Sequence, residues 1–198
     1  QSHVQFLADD KLEGRRTGSA GEKLAYEYIS NKFEEAGLAP KGNNGSFIQA
    51  FDVREGKEIH PATQLSLNRT KLNLNSDYFP FAFSPNARLE SSASMALPEA
   101  ESAWFWDLKE TLETNKNNPH FDLEDAIIKK VNNVAAKGAA ALLVFNSSGI
   151  NDSLKFDPKS KTEKTRIPVL YISRDIKNKF LQDELSYVDL KLEVSIGD

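Results

Sequence analysis

The sequence predicts an α/β protein in which helices come first and a mixed sheet follows. Three observations carry this. Residues 19–37 hold an apolar stripe of helical period between a capping pair and a terminating glycine. From Ala62 the pattern changes to short alternating segments that suit strands. From Asp122 onward a helix feeds an apolar strand, and a second apolar strand and a short helix follow, as in a crossover-built sheet. A chain of 198 residues can hold one good core, or one core with an appendage.

Ser2 and Gln5 have capping-box spacing, with Val4, Leu7 and Ala8 behind them, so a short helix is expected to about Asp10. Gly14 and Gly18 break it. Ser19 and Glu22 form a second capping box, and Leu24, Ala25, Tyr28, Ile29, Phe33 and Ala36 make one stripe. Gly37 suits the left-handed position past the helix end, Leu38 its apolar contact, and Pro40 blocks continuation. Asn43-Asn44-Gly45 reads as a turn and Phe47 to Val53 as a strand. A domain boundary is expected within residues 52–62, dividing a segment 1–52 from a domain 53–198.

Leu65 and Leu67, then Leu72 and Leu74, alternate with polar residues around Asn68-Arg69-Thr70, a hairpin pattern. Pro80 keeps Phe79–Phe83 out of a central strand position. Arg88 to Leu97 and Ala103 to Leu108 read as strands, the second entering the core. Asp122 caps a helix to about Lys137 with Leu123, Ala126, Ile127, Val131, Val134 and Ala135 on one face, and Gly138 stops it. Ala139–Phe145 and Ile167–Ile172 follow as buried strands, separated by a charged loop, Lys155 to Arg166. Ser173 caps a helix to about Leu181. Val188, Leu190, Leu192, Val194 and Ile196 close the chain in strict alternation.

Composition narrows the function. Hydrophobic residues make up 39% and charged residues 27%, an ordinary globular balance. A net charge of −4 gives no reason to expect nucleic acid or anionic lipid. No apolar run approaches the ~20 residues of a membrane span. Without cysteine there are no disulfides, thiolate zinc sites or cysteine nucleophiles. No signal-peptide pattern is read, so a mature or trimmed product is expected.

Few residues invite chemistry. His120-Phe121-Asp122 has a spacing that can hold a metal, but it follows Asn117-Asn118-Pro119 and opens a helix, so Asp122 is expected to be an N-cap. His3 and His60 are expected at the surface, without a ligand cluster. Gly14, Gly18 and Gly21 with Arg15 and Arg16 precede a helix N-terminus, where anions can bind, yet the spacing is neither a P-loop nor a dinucleotide pattern. Asp9-Asp10 and Glu34-Glu35 are adjacent in sequence and do not face one another on a helix. Trp104, Phe105 and Trp106 read as core, with one of the first two exposed or covered by a helix.

The segment from Leu7 to Phe51 resembles the N-terminal opening of the co-catalytic di-zinc aminopeptidases of clan MH. The resemblance rests on Leu12-Glu13-Gly14-Arg15, Thr17-Gly18, Gly21-Glu22, Ala25, Tyr28-Ile29, Phe33, Gly37-Leu38, Pro40, Gly45 and Phe47 to Phe51. The remainder is similar to the protease-associated (PA) domain that many members carry as an insert. Here the match is Lys137–Phe145, then Ile167-Pro168-Val169 and Ser173, with Leu65 to Phe79 as the opening hairpin. Residues 98–121 match nothing in that pattern.

The resemblance implies an N-terminal helical arm followed by a PA-like β/β/α (swivelling-domain-like) insert with a mixed sheet and two or three helices. It implies a zinc site built from an H-x-D, a bridging Asp, a Glu-Glu pair, a further Asp and a last His, all after the insert. Those ligands carry over to no residue here. The expectation is thus a non-catalytic portion of a zinc aminopeptidase, shaping substrate access or mediating protein contacts. No catalytic or metal-binding residue is expected in this chain, and zinc only in the catalytic domain beyond it. The family also implies a secreted or periplasmic location. Glu13, Arg15 and Arg16 are the interaction candidates. The expected partners are the chain's own peptidase domain or a second copy, and the peptide substrate of the parent enzyme. The alternative is a stand-alone PA-type module that binds protein or glycan. The stripe Leu24/Tyr28/Ile29/Phe33 is expected either to dock on the PA core or to drive self-association.

Overall fold

The structure, a computed structural model, describes residues 2–51 and 56–197. The chain separates into two compact units, Gln1–Arg54 and Glu55–Asp198.

The first unit is helical. α1 spans Ser2–Leu7, shorter than the pattern predicts, because the chain tightens into a 3-10 segment at Asp10–Arg15. α2 spans Ala20–Glu35. Its N-terminus is capped as predicted: Ser19 Oγ accepts from Glu22 N at 3.2 Å, and Glu22 Oε2 accepts from Gly18 N at 2.5 Å. Its C-terminus is a Schellman motif. Gly37, at φ 72°, donates to the Glu34 carbonyl at 2.9 Å, and Leu38 donates to the Phe33 carbonyl at 3.0 Å. Phe6 stacks on Tyr28 with ring centroids 4.0 Å apart, which ties α1 to α2. The buried residues of α2 are Gly21 and Ala25. Leu24, Ile29 and Phe33 of the predicted stripe are exposed at 42%, 37% and 42%.

The segment after the turn at Asn43–Gly45 departs from the pattern. Phe47–Phe51 forms no strand, and Val53 lies outside the described residues. A strand exists only by pairing, and no described residue offers this segment a ladder; Phe51 is 78% exposed.

The second unit is a β/β/α sandwich. Its strands are β1 (Glu58–Ile59), β2 (Gln64–Leu67), β3 (Thr70–Lys71), β4 (Tyr78–Pro80), β5 (Ala87–Ser94), β6 (Ala103–Asp107), β7 (Ala141–Phe145), β8 (Val169–Ile172), β9 (Tyr187–Val194) and β10 (Ile196–Gly197). Its helices are α3 (Lys109–Asn115), α4 (Leu123–Ala136) and α5 (Arg174–Phe180). One sheet has the antiparallel order β3-β2-β9-β5; the other has the mixed order β4-β8-β7-β6; β1 and β10 form a small ladder of their own. Neither sheet closes into a barrel.

The layering follows from the period of two along β7. Ala141, Leu143 and Phe145 join a core with Leu65, Leu67, Leu190, Leu192 and Val194 of the antiparallel sheet. Leu142 and Val144 point the other way, into a core with Ile127, Val131 and Val134 of α4. A strand buried on both faces has no polar positions, and β7 has none. α4 starts at the predicted cap, with Asp122 Oδ1 accepting from Asp125 N at 3.0 Å. Ser173 caps α5, accepting from Ile176 N at 3.4 Å. β6, β7 and β8 run parallel, the first crossover passing through α3 and α4 and the second through the loop 146–168. The β2–β3 hairpin turns on Asn68 and Arg69, both with positive φ, as a two-residue primed turn needs.

The strand expected at Ala103–Leu108 forms over Ala103–Asp107. β6 is an edge strand of its sheet, with Trp104 and Trp106 half-buried on the α4 side and Phe105 on the side facing the other sheet. Lys130 Nζ lies 5.3 Å from the Trp106 ring, so α4 covers the Trp104/Trp106 face of the strand. α3 is an element the pattern did not predict: Lys109–Asn115 has only Leu112 as a buried anchor.

Candidate functional site

The loop Asp9–Gly18 carries the interaction candidates. Asp9 Oδ1 accepts from Lys11 N at 3.1 Å and starts the 3-10 turn. Leu12, only 1% exposed, is the anchor. The next three residues all lie in the left-handed region: Glu13 at φ 46°, Gly14 at φ 71° and Arg15 at φ 57°. Glycine accepts this freely. For Glu13 and Arg15 it costs roughly 1–2 kcal/mol each. Arg16 returns to φ −59°, ψ 136°, and its carbonyl accepts from Ser19 N at 3.0 Å.

What holds the strained run is a backbone clamp. A Cβ placed on Gly21 would lie 1.9 Å from the Leu12 carbonyl oxygen, so the first turn of α2 rests directly on the Leu12 main chain. The result is an exposed projection of Glu13, Gly14, Arg15 and Arg16 with a fixed root. It carries one carboxylate and two guanidinium groups. Strain of this kind persists only where the surrounding structure over-determines it.

The structure also assembles a polar cluster that the sequence did not announce. It lies at the carboxyl ends of β6, β7 and β8. Asp107 Oδ1 accepts from Ser147 N at 3.0 Å and Oδ2 from Ser147 Oγ. Asn146 Nδ2 donates to Asp152 Oδ2 at 2.8 Å, and the Tyr171 hydroxyl donates to the same oxygen at 2.9 Å. Arg174 Nε donates to the Asn146 carbonyl at 3.3 Å and Nη2 to the Ser148 carbonyl. Burial, reinforced by the hydrogen bond to Asp152, holds the Tyr171 phenol well above its ordinary pKa. A shallow cavity of about 280 Å³ opens beside Asn146, Asp152, Tyr171 and Arg174. These groups spend their hydrogen bonds on one another and thereby fix the turn that follows β7. The only signal in the sequence was the run of polar residues directly after an apolar strand.

The histidines are placed apart. His3 Nδ1 lies 2.8 Å from the Tyr28 hydroxyl. His120 donates its main-chain N–H to Asn118 Oδ1 at 3.1 Å, beside the Asp122 cap. His60 stands beside the first and last strands of the second unit: its Nδ1 is 3.3 Å from Ser195 Oγ, and its Nε2 is 3.6 Å from Glu58 Oε1. Thr63 completes this clasp, donating to the Ser195 carbonyl at 2.9 Å and accepting from Ser195 N at 3.0 Å. Among the described residues, no group of three or more His, Asp or Glu comes together to hold a metal ion. No helix among them is long and apolar enough to cross a membrane.

Protein-family models and curated proteins return no match to the chain. Solved structures do. The chain is similar to an aminopeptidase from Aneurinibacillus sp. strain AM-1, with 15% identity and a TM-score of 0.46, over 99% of this chain and 43% of that one. It is similar to BSAP, a zinc aminopeptidase from Bacillus subtilis, with 16% identity and a TM-score of 0.40, over 98% and 42%. It is similar to a peptidase M28 precursor from Shewanella amazonensis SB2B, with 14% identity and a TM-score of 0.41, over 98% and 49%. The chain spans less than half the length of each of these proteins and resembles a part of them.

Proposed function

We propose that the chain is a non-catalytic portion of a zinc-dependent aminopeptidase: an N-terminal arm, residues 1–52, that belongs with a peptidase domain, and a PA-like domain, residues 53–198. The observation that carries this reading is the pairing of β1 with β10, Glu58 opposite Gly197 and Ile59 opposite Ile196. The strands that begin and end the second unit lie side by side, the geometry of a module that can be set into a host domain without parting its chain. The motif of Leu12–Gly21 and the exposed apolar residues of α2 support an arm made to pack on such a host.

In this reading the PA-like domain shapes substrate access or mediates protein contacts. Glu13, Arg15 and Arg16 are the contact residues of the arm. Zinc is held by the catalytic domain, outside this chain, and the parent protein acts outside the cytoplasm.

The test compares the complete gene product with the 198-residue chain in a leucine p-nitroanilide assay, with and without a chelator. The expected result is chelator-sensitive turnover by the complete product alone. Zinc-dependent turnover by the 198-residue chain, or a complete product without peptidase activity, contradicts the proposal. Arg15→Ala in the complete product is expected to lower kcat/KM several-fold.

A further inference from the structure

The antiparallel sheet ends in β5, an edge strand of eight residues. The other sheet edges are short: β3 has two residues, β4 has three and finishes in Pro80, and β6 has five. β5 carries no proline, and long unprotected edges are templates for a further strand.

Its outward hydrogen-bonding groups can be assigned. Asn68 donates to the Asp189 carbonyl, so the odd-numbered residues of β9 turn their main-chain groups toward β2. The even-numbered ones therefore turn toward β5, where they face Ala87, Leu89, Ser91 and Ala93. That leaves the N–H and C=O of Arg88, Glu90 and Ser92 pointing away from the sheet. Among the described residues, none bonds to those groups. Beyond them the edge is covered, because Ala96 donates to the Glu184 carbonyl and Ser94 Oγ does the same. The open stretch runs over 86–92, and its midpoint is Leu89.

We infer that this edge is a self-association surface, on which β5 pairs antiparallel with β5 of a second copy about a two-fold axis at Leu89. The charges select the partner and the register. A two-fold at Leu89 sets Arg88 opposite Glu90 of the second copy, and Glu90 opposite its Arg88. Within one chain Arg88 already bonds Glu193 at 2.6 Å, and Lys191 pairs with Glu90. The row across the joined sheets becomes Glu193, Arg88, Glu90 of the second copy and Lys191 of the second copy, alternating in sign throughout. A two-fold shifted to Glu90 would set Glu90 against itself, a like-charge pair that destabilises a ladder. Arg88 and Glu90 are both outward groups, so this register also makes them a mutually hydrogen-bonded pair. The inference stands apart from the peptidase reading, because it uses only the second unit's sheet.

The test is sedimentation velocity of the 198-residue chain into the high micromolar range, with two variants. Glu90→Pro removes an outward N–H where an edge strand tolerates proline, and it is expected to weaken association about tenfold or more, with the tryptophan emission of β6 unchanged. Leu89→Cys places a thiol on the two-fold, at a directly opposed position where cross-strand Cβ atoms come within disulfide reach. The chain has no cysteine of its own, so oxidation is expected to give one covalent dimer. A chain that stays monomeric throughout overturns the inference. So does a dimer whose Leu89→Cys form stays unlinked, or one dissolved by Phe33→Asp and untouched by Glu90→Pro, which would assign association to α2.

Discussion

The two units differ in what they bury. The second has two apolar cores, one on each face of β7, and fully buried Leu65, Leu67, Leu142, Leu143, Val144, Leu170 and Ile172. The first buries Leu12, Gly21 and Ala25 and leaves Val4, Leu24, Ile29, Phe33, Leu38 and Phe51 exposed. Its helix is well capped at both ends, yet caps supply about 1 kcal/mol each while apolar burial supplies most helix stability. A unit can thus have good local signals and little core. The lesson is that α2 is specified by its ends, whereas β7 is specified by its faces.

That contrast can be broken from either side. Leu143→Ala in β7 opens a cavity in the core between the sheets and is expected to cost about 2–5 kcal/mol in urea unfolding followed by Trp104 and Trp106 emission. Gly21→Ala strikes the Leu12 main chain and is expected to cost the first unit about 1–3 kcal/mol, despite alanine's better helix propensity, read as lost ellipticity at the helix band. Ser19→Ala removes the α2 cap and is expected to cost about 1 kcal/mol, with no change in the unfolding of the second unit.

Alkaline titration separates the units by a different route. Burial pushes the Tyr78 phenol up to about 12, and Tyr171 is raised as well, both in the second unit. A folded pKa above the unfolded value near 10 means the unfolded chain releases protons first. Stability of the second unit is therefore full below about pH 10 and falls as pH rises through the folded value. Tyr78→Phe is expected to flatten that fall, measured by unfolding midpoints across the alkaline range. At the small end, Leu24→Ala on the exposed stripe is expected to change stability by less than about 0.5 kcal/mol.

Much of the fold was legible because its signals are local. Ser19, Asp122 and Ser173 announce helix starts through side chains that each accept from the main-chain N–H three residues on. The strict alternation of Val188 to Ile196 sets a half-buried strand. Pro80 marks an edge. The misses have physical causes. Phe47–Phe51 has strand residues but no partner ladder. α3 has a single apolar anchor, too little for a period. The edge position of β6 had no signal of its own, because an edge strand under a helix needs the same apolar residues as any strand entering a core. At the candidate site, the Gly14/Gly18 punctuation foretold a turn. The left-handed φ of Glu13 and Arg15 was invisible, because neither residue favours it. The strand-end cluster joins Asp107, Asn146, Asp152, Tyr171 and Arg174 across three strands, a juxtaposition that only the topology creates.

The comparison of the units is tested most directly by native-state hydrogen exchange on the 198-residue chain. Amides of β7 and β8 are expected to exchange only through global unfolding of the second unit. Those of α2 exchange at least about a hundredfold faster, by local opening. Amides of α2 protected as strongly as those of β7 would contradict that expectation, because the first unit would then have a stability of its own.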